Sequence, residues 1–175
     1  MSTPAPTNFE IIDVICNLLK LQLDLDDKHV WIYNQKQKIP NEDGLFISVA
    51  FFSSKPFGVS SVCGDDEAGN FTETQSSNVQ ETYKIVLYSR DESAKARAWE
   101  AHLALTGVLS QQMQELYCFK FAQLPTDFTD TSAVEASARL FRQDITFNAI
   151  RSRTKTRVIN YFDKFNIPPE LHINQ

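Results

Sequence analysis

The spacing of apolar residues along the chain predicts two main helices. Apolar side chains recur at helical intervals over residues 9–23, and Asn8 before them is a suitable N-cap. A second helical stripe follows Asp91 and covers residues 92–116. Gly107 lies inside this stripe, where glycine costs on the order of 1 kcal/mol relative to alanine. We therefore expect tight packing around Gly107.

Other segments have the patterns of β-strands. Residues 45–52 are apolar at odd and even positions alike, which is typical of a central strand buried on both faces. Residues 53–71 contain three glycines and a proline and are interpreted as a long excursion, with an extended hairpin as one form of it. Further strands are predicted at 29–34, 81–89, 117–123 and 134–150.

The order of these elements predicts an α+β fold in a single domain. We expect a mixed or antiparallel sheet of about five strands with two main helices packed on it, plus an extended C-terminal β-arm. The 175 residues divide into a flexible N-terminal tail (1–7), an α+β core (8–150) and a basic arm with the C-terminal tail (151–175).

The stretch RSRTKTRV, residues 151–158, has a basic residue at every second position. Alternate side chains of a strand share a face, so the apolar face of residues 141–149 becomes charged after Ala149. Four unpaired charges are too costly to bury, and the strand is predicted to leave the core near residue 150. We call these four residues the basic row: Arg151, Arg153, Lys155 and Arg157.

The basic row has two interpretations. It is either a solvated strand edge, where Lys and Arg prevent aggregation, or a surface that contacts a polyanion or an acidic neighbour. Under both interpretations, replacing the four residues by Ser is expected to leave the fold intact. Under the second, the replacement also impairs assembly.

Charge is unevenly distributed along the chain, whose formal net charge is −5. Residues 1–138 hold 10 Lys and Arg against 19 Asp and Glu, and residues 139–175 hold 7 against 3. A net −9 body argues against general nucleic-acid binding, and a second copy of this acidic chain is a plausible acceptor for the basic row. No apolar run approaches the roughly 20 residues of a membrane span, so no membrane partner is expected.

Residue patterns of catalysis or metal binding are absent from the sequence. The three histidines, His29, His102 and His172, are far apart, and no P-loop, GxSxG or dinucleotide motif occurs. The acidic stretch GDDEAGN (64–70) lacks the spacing of a calcium loop. Three distant cysteines suggest buried thiols in a reducing compartment. We predict no catalytic residue, no metal site and no cofactor, and hence no enzyme.

Three stretches resemble bacteriophage neck and tail-terminator proteins. VWIYNQKQKIPNEDGLFISVAFFSSKPFG (30–58) is similar to the family's first strand, Asn-Gln turn, Pro–Gly loop and buried strand. ETYKIVLYSRDESAKARAWEAHLALTGVLS (81–110) and RLFRQDITFNAIRSRTKTRV (139–158) resemble its strand–helix unit and long final strand. The resemblance covers most of residues 8–160, while the insertion at 59–80 has no counterpart.

The resemblance implies a structural virion protein: a ring-forming subunit, usually six-fold, that joins the phage tail to the head connector and stops tail-tube growth. Its partners would be copies of itself in head-to-tail contact, the head–tail connector or adaptor, and tail tube or sheath proteins. Genomic DNA would pass through the lumen. The protein would assemble in the host cytoplasm and reside in the neck or tail of the virion. The basic row would face the lumen or a neighbouring subunit.

Alternative functions remain open at this point. The chain could be another phage tail or baseplate assembly protein, or else a small-ligand-binding protein or an enzyme. A nucleic-acid-binding regulator is disfavoured by the acidic charge of residues 1–138.

Overall fold

The apolar and alternating patterns form an α+β fold in the computed structural model, which describes residues 10–33, 38–124, 127–135 and 138–159. The helical segments are α1 (Ile11–Leu23), α2 (Ser93–Ala96), α3 (Ala98–Thr106) and α4 (Val108–Leu116). The strands are β1 (Val30–Ile32), β2 (Phe46–Asp65), β3 (Phe71–Ser89), β4 (Phe119–Gln123), β5 (Thr129–Asp130), β6 (Ala133–Glu135) and β7 (Ala138–Val158). The expected tails at 1–7 and 160–175, and the Asn8 cap, lie outside the described residues.

The strands form a mixed sheet in the order β1-β2-β3-β7-β4, which confirms the predicted fold class. The β1–β2 pairing is parallel, and the pairings of β2 with β3 and of β7 with β3 and β4 are antiparallel. The short strands β5 and β6 also pair with β7. The single strand predicted over 134–150 is divided between β6 and β7, which pair antiparallel. Strands β5 and β6 account for the difference between seven strands and the expected five.

The helices cover one face of the sheet, and the main core, to which α1, α2 and α3 contribute buried residues, lies between the helices and the sheet. Fully burying one large aliphatic side chain contributes about 1.5–3 kcal/mol, so this layer is the main source of stability. Its members come from the apolar stripe of α1 and from alternate positions of β2, β3 and β7: Val14, Ile15, Leu18, Leu19, Ile47, Val49, Ile85, Leu87, Ile145 and Phe147.

The predicted single helix over residues 92–116 is wrong, because α2, α3 and α4 are separate segments. Gly107 takes an extended conformation (φ −69°, ψ 169°), and its N–H closes α3 on the carbonyl of Leu103. The buried hydroxyl of Ser110 donates to the Leu105 carbonyl at 2.6 Å, which satisfies a second acceptor at this helix end. Gly107 therefore marks a break between two helices, and the expected tight packing is present there, because a Cβ at this position would lie 3.2 Å from the carbonyl oxygen of Leu103.

Strands β2, β3 and β7 extend well beyond the core. The β2–β3 hairpin is paired out to Asp65↔Phe71, and the β3–β7 pairing continues to Thr72↔Val158. The excursion predicted at 53–71 is therefore part of an extended hairpin. The segment 59–80, which has no counterpart in the resembled family, forms the outer part of this hairpin. We call the projecting three-stranded sheet the arm: residues 53–65 of β2, 71–80 of β3 and 151–158 of β7.

Candidate functional site

The arm buries a single apolar residue, Val79 at its base, and its other described residues form no hydrophobic core. Every residue of β2 from Phe51 to Asp65 is exposed, and so is every residue of β7 from Ser152 to Val158. A sheet gains independent stability from a buried apolar face or from packing against a helix. The outer part of the arm has solvent on both sides, so its shape depends on hydrogen bonds and ion pairs between its strands.

The basic row lies on the side of the sheet that carries the helices. Residues directly opposite in an antiparallel pair share a face, and β7 keeps an unbroken register with β3 along its length. Phe147 and Ala149, which have the same parity as the row, lie in the main core. The face therefore changes from core to charge at Ala149/Arg151, as the sequence predicts.

Arg151 anchors the base of the arm to a buried carboxylate. Its guanidinium donates to Oε1 of Glu81 at 3.1 and 2.9 Å and to Oε2 of Glu10 at 2.7 Å. Arg153 donates to the same Glu81 oxygen at 3.0 Å, and the Tyr83 hydroxyl donates to Oε2 at 2.6 Å. The Glu81 side chain is 1% exposed and that of Arg151 is 13% exposed. The first charge of the basic row is therefore largely buried, and carboxylates neutralise it.

Glu81 is held as a carboxylate by its partners. Burial by itself would raise its pKa, but hydrogen bonds from Tyr83, Arg153 and Arg151 outweigh burial and lower the pKa below the ordinary value. Burial and the bond to Glu81 raise the pKa of Tyr83. Sequence reasoning missed Glu81, although its parity with Tyr83 and Ile85 places it on the apolar face of β3 and could have revealed it.

A second ion pair ties the three strands together near the tip of the arm. Arg157 donates from Nε to Oε2 of Glu73 at 2.8 Å, and Ser61 donates to Oε1 at 2.7 Å. Ser61, Glu73 and Arg157 belong to β2, β3 and β7 respectively. Hydrogen bonds from Ser61, Arg157 and Gln75 lower the pKa of Glu73 to about 2.

We expect this carboxylate to respond to acid. Its folded pKa is depressed, so its stabilising contribution is present above about pH 4.5 and is lost as the pH falls towards 2. An NMR titration of the Glu73 carboxyl carbon should give a midpoint near pH 2, and the midpoint should rise when Ser61→Ala and Arg157→Ser are combined. A wild-type midpoint at the ordinary value of 4.5 would refute the bridging geometry.

Lys155 is the free charge of the row. It is exposed, and its side chain has no hydrogen-bond or ion-pair partner among the described residues. Arg151, Arg153 and Arg157 each have carboxylate partners. The row is therefore divided between charges that hold the arm together and one charge that is available to a partner.

The opposite face of the arm is almost uncharged. Thr74 and Thr156 are hydrogen-bonded across β3 and β7 at 2.9 Å, and Lys55 is the one charged residue among the described arm residues of this face. Apart from Val158, the β3 and β7 contribution to this face is a regular array of hydroxyl and amide side chains: Thr72, Thr74, Ser76, Asn78, Gln80, Ser152, Thr154 and Thr156.

No described strand covers either lateral edge of the outer arm, and we call these two edges bare in that sense. The described partner of β2 on its outer side is β1, which ends its pairing at Val49. On the outer side of β7, β4 ends its pairing at Arg151, so residues 152–158 pair with no other described strand there. Unpaired N–H and C=O groups along such edges are ready to pair with another chain.

The hairpin tip is a structured acidic turn. Asp66 accepts hydrogen bonds from the backbone N–H groups of Ala68 and Asn70 at 3.0 and 2.7 Å. These bonds lower the pKa of Asp66. The neighbouring carboxylates of Asp65 and Glu67 are exposed. The tip therefore presents negative charge next to the strand β2.

The described residues contain no group of three or more His, Cys, Asp or Glu side chains that could hold a metal ion. His29 pairs with Asp26 at 2.6 Å, while His102 contacts the ring of Phe128. His172 lies outside the described residues. In the part of the chain that the structure describes, no helix is long and apolar enough to cross a membrane.

Comparison of the chain with known protein families and with curated proteins finds no match in either set. The arm, with its basic row, acidic tip and bare edges, is the feature of the molecule on which a function can be based.

Proposed function

We propose that the chain is a structural virion protein, a ring-forming tail-terminator or neck subunit that joins the phage tail to the head connector and stops tail-tube growth. The observation that supports this proposal is the arm. Beyond Val79 the three strands have no apolar core, no described strand covers their outer edges, and a sheet of this kind gains stability from a partner. A subunit of an assembly has such a partner, and an isolated globular protein does not.

The proposed ring places the arm's two faces in different surroundings. The basic row and the helix layer share one side of the sheet. A ring with an open channel keeps the helix layer outside, so the hydroxyl and amide face turns to the lumen. Each phosphate that a protein neutralises adds salt-dependent affinity, so a lumen with few cations allows DNA to pass without being gripped.

In this role the protein binds and positions its partners without a catalytic step or a cofactor. The proposed partners are neighbouring copies in a ring that is usually six-fold in the resembled family, the head–tail connector and the tail tube or sheath. The virion neck is the proposed location, after assembly in the host cytoplasm.

Gold labelling of virions with antibodies against this chain tests the proposal. We expect label at the junction between head and tail, because a terminator lies where the tube ends. Label at the distal end of the tail would instead identify a baseplate protein. Absence of the chain from purified virions, shown by mass spectrometry, would refute a structural role.

A further inference from the structure

We propose that the arms of neighbouring copies pair edge to edge, with residues 152–158 of β7 in one copy beside residues 59–65 of β2 in the next. The inference rests on the proposed ring, and it identifies the surface that builds the ring. The occupant of each bare edge is then a second copy of this chain.

The β2 edge is protected at its base and open beyond it. The base carries Lys55, Pro56 and register irregularities between Phe51/Ser53 and Phe57/Val59, and all of these features discourage pairing at an edge. The following segment, VSSVCGD (59–65), contains no proline and no basic residue. Val59 and Val62 in it are 77% and 68% exposed. The open segment is therefore suited to receive another strand.

Charge selects which edges meet. Over the outer part of the arm, the β7 edge carries Arg153, Lys155 and Arg157, while Asp65, Asp66 and Glu67 lie at the end of β2. Two β7 edges would bring like charges together, and so would two β2 edges, whereas a β7 edge beside a β2 edge joins opposite charges. This preference makes the contact heterologous, as ring closure requires.

Strand direction is compatible with rotational symmetry. Both β2 and β7 run antiparallel to β3, so they run parallel to each other. Copies related by rotation about a ring axis keep that direction, and the new pairing is parallel, like the pairing of β1 with β2. Cys63 of β2 and Arg157 of β7 both lie opposite Glu73 of β3, so they are at the same height along the arm. Neighbours at equal height therefore bring Arg157 close to the acidic tip of the next arm.

Closure of the sheet removes every open edge in the outer part of the arms. Each copy contributes three strands, and the last copy pairs with the first. The hydroxyl and amide face then forms a continuous inner wall, and the basic row lies on the outer surface of the same sheet.

Disulfide trapping tests the pairing. Cys63 is exposed and on the face of the basic row, so it serves as one partner after Cys118→Ser removes the other exposed thiol. Lys155→Cys and Arg157→Cys supply partners on the same face, and Thr154→Cys and Thr156→Cys supply matched controls on the opposite face. Neighbouring strands are about 4.8 Å apart, within the Cα separation of disulfides.

After oxidation of the assembled protein, we expect the same-face variants to form a ladder of covalent species beyond the dimer on a non-reducing gel. The opposite-face controls should stay monomeric. A ladder that stopped at the dimer would indicate a two-fold contact and would overturn the heterologous pairing. If electron microscopy showed rings but the same-face variants formed no cross-links, the edge pairing would be overturned and the ring would stand. This is the result expected if residues 160–175 occupied the edge. Absence of any oligomer would overturn the ring as well.

Discussion

Replacing Arg151 by Met is expected to lower the free energy of unfolding by about 3 kcal/mol, because the substitution leaves the carboxylate of Glu81 without its main counter-ion. Glu81 is 1% exposed and cannot turn to solvent, while two hydrogen bonds from Arg151 reach its Oε1. Arg153 and Tyr83 retain one bond each to Glu81, which places the loss at the lower end of the range for a broken buried ion pair.

Urea unfolding followed by circular dichroism measures this effect, with wild type and variants compared in the same assembly state. Lys155→Met is the matched control, since Lys155 is exposed, and its effect should stay within about 0.5 kcal/mol. Combining Arg151→Met with Glu81→Gln should recover most of the loss, because no buried charge then remains. Equal stabilities for the Arg151 and Lys155 variants would show that the ion pair does not hold the base of the arm.

The ion pair also changes what is expected when Ser replaces the whole basic row. The expectation of an intact fold followed from four exposed, unpaired charges, but Arg151 and Arg153 neutralise a buried group. A loss of stability in that fourfold variant would therefore say little about assembly. Residues on the outer part of the arm are the better sites for separating assembly from folding.

Reversing the two charges at the outer end of the basic row, Lys155 and the Glu73-paired Arg157, is expected to abolish ring formation. The variant Lys155→Glu with Arg157→Glu puts negative charge on the β7 edge, opposite the acidic tip of the next arm. Each exposed pair contributes about 0.2–1 kcal/mol, and the change from attraction to repulsion repeats at every interface around the ring. Light scattering should report a shift from the assembled mass to the monomer mass at equal protein concentration.

A charge swap shows whether position or net charge is responsible. Adding Asp65→Lys and Glu67→Lys to the reversed variant should restore the ring, because the two edges again carry opposite charges. Lys38→Glu with Lys95→Glu alters the net charge by the same amount as the reversal, at exposed residues outside the arm, and should leave assembly unchanged. Dissociation in this control, or failure of the swap, would argue against edge selection by charge.

The core of this fold is readable from the sequence because its signals are local. The stripe of α1 and residues 45–49 bury their side chains as predicted, whereas Phe51 and Phe52, at the end of the predicted buried strand, are exposed. The split of the 92–116 helix was missed, because the helical stripe continues through Gly107 and its extended conformation has no signature beyond the glycine itself.

The arm was underestimated for a different reason. Residues 53–65 and 71–80 have no apolar face in contact with a core, so they lack the alternation that reveals a strand. The sequence predicts that the basic row lies on one face of its strand, because basic residues alternate there with uncharged ones. Its division into paired and free residues could not be predicted, since the contact between Arg151 and Glu81 joins residues 70 positions apart.

The most direct test of the account is the shape and mass of the purified wild-type protein. Negative-stain electron microscopy, together with light scattering at high protein concentration, should show closed rings with a central channel and a mass that is a whole multiple of the subunit. Such rings would support a heterologous assembly built by the arms. A protein that stayed monomeric at every concentration tested, or that formed compact two-fold dimers, would contradict the account.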